Sequence, residues 1–249
     1  MGAVRAEFLK LKRSLSWAVV VGLPVAMVML GAVNTLSAGG QLDDGWRTMW
    51  ERSVFLYGLF PLAVGIGILA SLVWRVEHRG GNWNALMGGP TSSLRIVTAK
   101  AVAVAALAAA MQLVLLVAVF VMGKFAFGLP GMLPGRYLAM SILIVLACAP
   151  VAALQSGLSM LTRSFAAPIA VAFVGAGASV VLLLAKLDAA IFVPYALISR
   201  ATQLVTGFPT DTVTITPGDV AFITIAAAIF TAVLTIGTAA ILDRRDIRT

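Results

Sequence analysis

The sequence predicts an all-α membrane protein: six transmembrane helices, an amphipathic helix lying in the membrane interface at the N-terminus, and a short cytoplasmic helix between the second and third spans. Three observations carry this prediction. Of 249 residues, 61% are hydrophobic and only 11% charged, and the mean hydropathy is +1.02, far from the balance of a soluble domain. Lys, Arg, Asp and Glu are absent from six windows, 14–42, 53–74, 101–123, 137–162, 164–185 and 220–242, and about 20 apolar residues suffice to cross the hydrocarbon as a helix. No stretch alternates apolar and polar residues over about ten positions, as the strands of a membrane barrel would.

Taken in order, the N-terminal segment places Val4, Phe8, Leu11 and Leu15 on one side of a helical wheel and Arg5, Lys10, Lys12 and Arg13 on the rest. This is the pattern of a helix resting on the inner leaflet. The first span, 16–37, lies in an uncharged run too long for the apolar region of a signal peptide, and Leu36-Ser37-Ala38 is a poor cleavage site, so it reads as an uncleaved span. The other spans are 53–74, 101–123, 137–162, 164–185 and 220–242, all within one transmembrane domain covering 1–249. Pro24, Pro61, Pro150 and Pro168 interrupt four of them and predict kinks.

Between the second and third spans, Trp83, Leu86 and Met87 recur at i, i+3 and i+4, the apolar stripe of a short helix. Gly88-Gly89-Pro90 breaks it, and Ser92 or Ser93 can cap a further helix running through Lys100 into the third span. In the outer segment 186–219, residues 194–205 read as a short amphipathic helix and 209–217 as irregular.

Charge sets the orientation. With the N-terminus inside, the cytoplasmic segments carry Arg5, Lys10, Lys12, Arg13, Arg75, Arg79, Arg95, Lys100, Arg163, Arg244, Arg245 and Arg248, against Arg47, Arg52, Lys124, Arg136, Lys186 and Arg200 outside. Six of the ten acids also fall outside, so the whole net charge of +8 is cytoplasmic. Both termini are therefore expected in the cytoplasm. A basic balance of this kind fits contacts with anionic lipid headgroups and not nucleic acid.

Function classes narrow by what is missing. The spans hold no ionisable residue, which lowers the case for a proton-driven carrier. His78 is the single histidine, with no ligand set at metal spacing, and reads as a solvated loop residue. The sole cysteine, Cys148, lies in the fourth span and excludes an intramolecular disulfide. Gly65-Ile66-Gly67-Ile68-Leu69-Ala70 matches a dinucleotide pattern only inside an apolar span, and no GxxxxGK[ST] occurs. The chain is expected to be no enzyme and to bind no metal. Gln155 and Ser159 share a helix face, where they either line a substrate path or bond to neighbouring helices. Gly175 and Ser179, like Ala172 and Ala176, have spacing for close approach inside the molecule or at a dimer interface.

An interfacial helix, six spans, and a loop of pattern E-x5-W-x2-L-x3-P-x9-K, here Glu77, Trp83, Leu86, Pro90 and Lys100, resemble the ABC-2 type permeases, most closely the lantibiotic-immunity and bacitracin-export group. The resemblance implies the membrane half of an exporter in a bacterial cytoplasmic membrane, moving an amphipathic compound such as a peptide antibiotic. It implies a separate ATPase subunit that binds ATP and Mg, a second permease copy completing the pathway, and a coupling helix carrying Trp83, Leu86 and Met87. Glu77 would pair with a basic residue of the ATPase, or with Arg75 or Arg79. Trp83 would anchor the ATPase, or sit at headgroup level. The alternative is a membrane protein that does not transport and whose loop binds a regulator.

Overall fold

The computed structural model describes residues 2–11, 14–37, 39, 42, 44–79, 83, 91–162, 164–207 and 215–246. The described residues form helices α1 (Gly2–Leu11), α2 (Ser16–Ser37), α3 (Trp46–Leu59), α4 (Pro61–His78), α5 (Ser93–Val121), α6 (Arg136–Leu161), α7 (Ala166–Leu184), α8 (Pro194–Thr206) and α9 (Pro217–Asp246), with a π turn at Met122–Ala126 and a 3-10 turn at Asp188–Phe192. Five helices, α2, α5, α6, α7 and α9, are long and apolar enough to cross a membrane, and α3 with α4 supplies a sixth crossing if that bent pair is one span. The protein is an all-α membrane protein.

The second span differs from the continuous helix expected. It breaks at Phe60, and α3 and α4 meet at 53°. The cause is local: Pro61 opens α4 at its first position, where a missing N–H costs nothing, so the chain restarts a helix there. Pro168 likewise sits in the first turn of α7, whereas Pro24 and Pro150 lie inside continuous helices. The helix of the third span starts at Ser93 with Ser92 in the capping position, as expected, though no side-chain cap bond forms.

Helix α6 is the centre of the bundle, packed by α4, α5, α8 and α9. Its buried face carries Ile144, Ala147, Cys148, Val151, Ala152 and Gln155. Small residues allow these approaches. A Cβ on Gly157 would lie 2.6 Å from Thr238 Oγ1 of α9, and one on Gly65 would lie 2.7 Å from side chains of α2 and α5. Ala172, Ala176 and Ser179 are buried inside the molecule, so the small-residue stripe of α7 serves internal packing. Its opposite face is exposed and apolar at Phe173, Val174 and Val181, as is α9 at Ile225, Ile229, Val233 and Ile236.

Between α7 and Gly207 the chain forms a 3-10 turn and α8, and α8 is packed into the bundle. Pro194 opens α8, and Gly207, at φ 74°, closes it in the left-handed conformation that suits glycine. Tyr195, Ile198, Ala201, Thr202 and Val205 are buried, because α8 inserts between α3, α6 and α7. A Cβ on Gly58 would collide with Thr202, and one on Gly175, the central residue of α7, would collide with the Tyr195 ring. Arg200 ties α8 to the start of α9 through Asp219 at 3.5 Å and the ring of Phe222 at 4.5 Å.

Candidate functional site

At the end of the bundle that carries the N-terminus, four charged side chains close on one another. Lys100 Nζ, in the second turn of α5, donates to Glu7 Oε2 at 2.8 Å, to Glu77 Oε1 at 2.9 Å and to the Val73 carbonyl at 3.3 Å. Lys10 Nζ donates to Glu7 Oε1 at 2.9 Å and to Glu77 Oε1 at 2.6 Å. Lys100 is 1% exposed and Glu77 4%. Two acids against two bases leave the lattice neutral, and all three protons of Lys100 have acceptors, the condition under which buried charge is tolerated. Lys10 lies outside the spanning helices. Burial pulls its ammonium down, but the bonds to Glu7 and Glu77 outweigh this and hold it above its ordinary value.

Within the chain, the partners of Glu77 differ from the Arg75 or Arg79 expected. It pairs with Lys10 and Lys100 and not with its helix neighbours Arg75 or Arg79, because those two point to the opposite side of α4. Glu77 and Lys100 are helical residues at the two ends of the connecting segment, not loop residues. Of that segment Trp83 is described; Leu86, Met87 and Pro90 lie outside the described residues.

Trp83 is half-buried and stacks on His78 with ring centroids 5.6 Å apart and planes within 10°. His78 in turn is no solvated loop residue. It ends α4 and bonds through Nε2 to the Ser159 carbonyl of α6 at 2.8 Å, which requires the proton on Nε2. Trp74, fully buried, donates from Nε1 to Ser156 Oγ at 2.9 Å and carries Lys100 Nζ 4.9 Å above its ring. These rings pack with Ile96, Val97, Met160 and Leu242 as a second, smaller core. The lattice and this core join α1, α4, α5, α6 and α9 at one end of the molecule.

The N-terminal helix also differs from the expected stripe. It docks against α5 through Glu7 and Leu11, with Val4 half-buried, while Phe8 is 41% and Leu15 68% exposed. Leu15 lies beyond α1, in the turn to α2. The apolar stripe is thus divided: one edge meets protein because Glu7 follows Lys100 inward, and the other is exposed.

Gln155 and Ser159 share a face as expected but have different surroundings. Gln155 Nε2 donates to the Tyr195 hydroxyl of α8, and its Oε1 faces the backbone approach at Gly67. Ser159 is 3% exposed, and its hydroxyl has no partner among the described residues. The roles of Glu7, Lys10, His78 and Tyr195 carried no signal in the sequence beyond opposite charges at the ends of adjacent helices.

A bundle of apolar helices long enough to span a membrane, cross-tied at one end to a short N-terminal helix, defines a polytopic membrane protein. The chain belongs to the ABC-2 family of transporters: the model described as ABC-2 family transporter protein matches residues 3–179. The match runs from α1 into α7 and contains the whole ion lattice, while α8 and α9 lie beyond it. No curated protein matches the chain significantly. No solved structure does either. Membership makes the chain a multi-pass membrane permease subunit of an ABC transporter, distinct from the subunit that hydrolyses ATP.

Proposed function

We propose that this chain exports an amphipathic compound, a peptide antibiotic or drug, from a bacterial cytoplasmic membrane, driven by a separate ATPase that docks on the segment between α4 and α5. Two permease copies form the pathway, with both termini cytoplasmic. The substrate class follows the likeness of the loop pattern to the lantibiotic-immunity and bacitracin-export permeases, and the orientation follows the distribution of Lys and Arg.

One observation carries the reading. The segment 79–92 is held at its two ends by the Glu77–Lys100 pair, and the same charges grip α1. A force applied to that segment is therefore passed to two spanning helices and to the interfacial helix together. Trp83 offers the aromatic surface that a docking partner would use.

The test is purification from native membranes in mild detergent. An ATPase of about 25–35 kDa, the size of one or two ordinary domains, should accompany the chain, and Trp83→Ala with Leu86→Ala should reduce both its association and substrate-stimulated ATP hydrolysis while insertion is kept. A chain that emerges without any ATPase, or a double variant with unchanged coupling, defeats the reading.

A further inference from the structure

On the side of α4 turned away from Glu77, a cleft of about 340 Å³ opens toward the predicted cytoplasmic leaflet. Ser71, Arg75 and His78 recur at i, i+4 and i+7 and so share one face of α4, and Arg79, just past its end, also lines the cleft. Facing them are Ser159 at the end of α6 and Phe165 before α7. No side chain lining the cleft is acidic among the described residues. Among the described residues, neither Arg75 nor Arg79 is ion-paired, although Glu77 on the same helix holds two lysines.

The remaining chemistry is specific. Arg75 Cζ lies over the Phe165 ring, 5.8 Å from its centroid. Ser71 Oγ is committed to the Phe165 carbonyl and Thr162 Oγ1 to the Leu158 carbonyl. The Ser159 hydroxyl, buried in the wall of the cleft, has no described partner. Immediately beyond Phe165, α7 begins, with the positive end of its dipole at this level, although the Ala167 N–H is committed to Ser164 Oγ and Pro168 has none. Two arginines, a free hydroxyl and a helix start, with no carboxylate, recognise a tetrahedral oxyanion.

We propose that this cleft binds a phosphate ester, the headgroup of an anionic phospholipid in the leaflet that bathes it. The position favours a lipid over a soluble phosphate. Arg75 is the first charged residue after the apolar part of α4, the depth at which basic pockets between spanning helices hold headgroups. Phe165 is 43% exposed at the mouth, and α7 rises from it with Phe173 and Val174 exposed, a surface for acyl chains. The site does not depend on ATP-driven export, so its test uses binding and not transport.

The full chain is reconstituted in nanodiscs of phosphatidylcholine with a minor fraction of phosphatidylglycerol, then released into detergent and weighed by native mass spectrometry. Phosphatidylglycerol should be retained over phosphatidylcholine. Retention should fall about tenfold in Arg75→Gln with Arg79→Gln, the loss of roughly one charge-assisted contact, and hold in Arg244→Gln, an exposed arginine elsewhere at this end of the molecule. Arg79→Gln alone, at an exposed position, gives a smaller loss in a chain whose packing is untouched. Inorganic phosphate titrated into phosphatidylcholine discs separates the sources: heat that the double variant abolishes, without retained phosphatidylglycerol, overturns the lipid in favour of a soluble phosphate ester. Equal retention in wild type and both variants, with no phosphate heat, removes the site altogether.

Discussion

Lys100 and Glu77, 23 positions apart in the chain, meet at 2.9 Å inside the protein and hold the two ends of the connecting segment together. Each has one further charge partner, Glu7 for Lys100 and Lys10 for Glu77, so the four charges balance only together. Lys100→Met should therefore cost about 3–5 kcal/mol, the penalty of removing one partner from a buried ionic cluster and leaving two carboxylates to share Lys10, seen as a lower denaturation midpoint in detergent. Glu77→Gln combined with Lys100→Met should cost less than the two single changes summed. Strict additivity would show that the pair does not act as a unit.

Glu7 bridges both lysines, so α1 is expected to loosen without it. Glu7→Gln should speed limited proteolysis within residues 2–11 while leaving the spanning helices resistant. Unchanged cleavage would mean that Leu11 and the membrane surface hold α1 in place unaided.

Gly175→Ala forces a methyl group against the Tyr195 ring and should cost about 1–3 kcal/mol by overpacking. Tyr195→Leu in the same chain should recover part of that cost by vacating the ring, although it removes the bond from Gln155. No recovery in the double variant would place the strain elsewhere.

Trp83→Phe keeps an aromatic ring on His78 and should retain coupling to the ATPase, whereas Trp83→Ala should lose it for about 0.5–1.5 kcal/mol of stability, the usual worth of an aromatic pair. Measuring melting and stimulated ATP hydrolysis on the same preparations distinguishes a structural from a coupling role: loss of both in proportion would make Trp83 a packing residue.

The spans were legible because each carries its own evidence: an uncharged run long enough to cross hydrocarbon names itself. The break at Phe60 was half-legible, since Pro61 forecast a kink but not that α3 and α4 would become two helices. The lattice was not legible. Glu7 and Lys100 are 93 positions apart, and each looked like an ordinary flanking charge until the helices packed. His78 failed for the same reason, since its partner is a carbonyl on another helix. α8 was recognised as a helix, but its burial depends on glycines at 58 and 175 that mark close approach without saying to what.

Cys148 is enclosed in the middle of α6, 2% exposed, and it is the only sulfhydryl the chain possesses. The natural protein is thus already close to silent toward maleimide reagents, so a reporter cysteine can be installed without first engineering the background away. Positions such as Met132 and Phe192, 72% and 79% exposed, are ready attachment points on the face predicted to lie outside, where an impermeant dye added to whole cells would read the orientation of the chain.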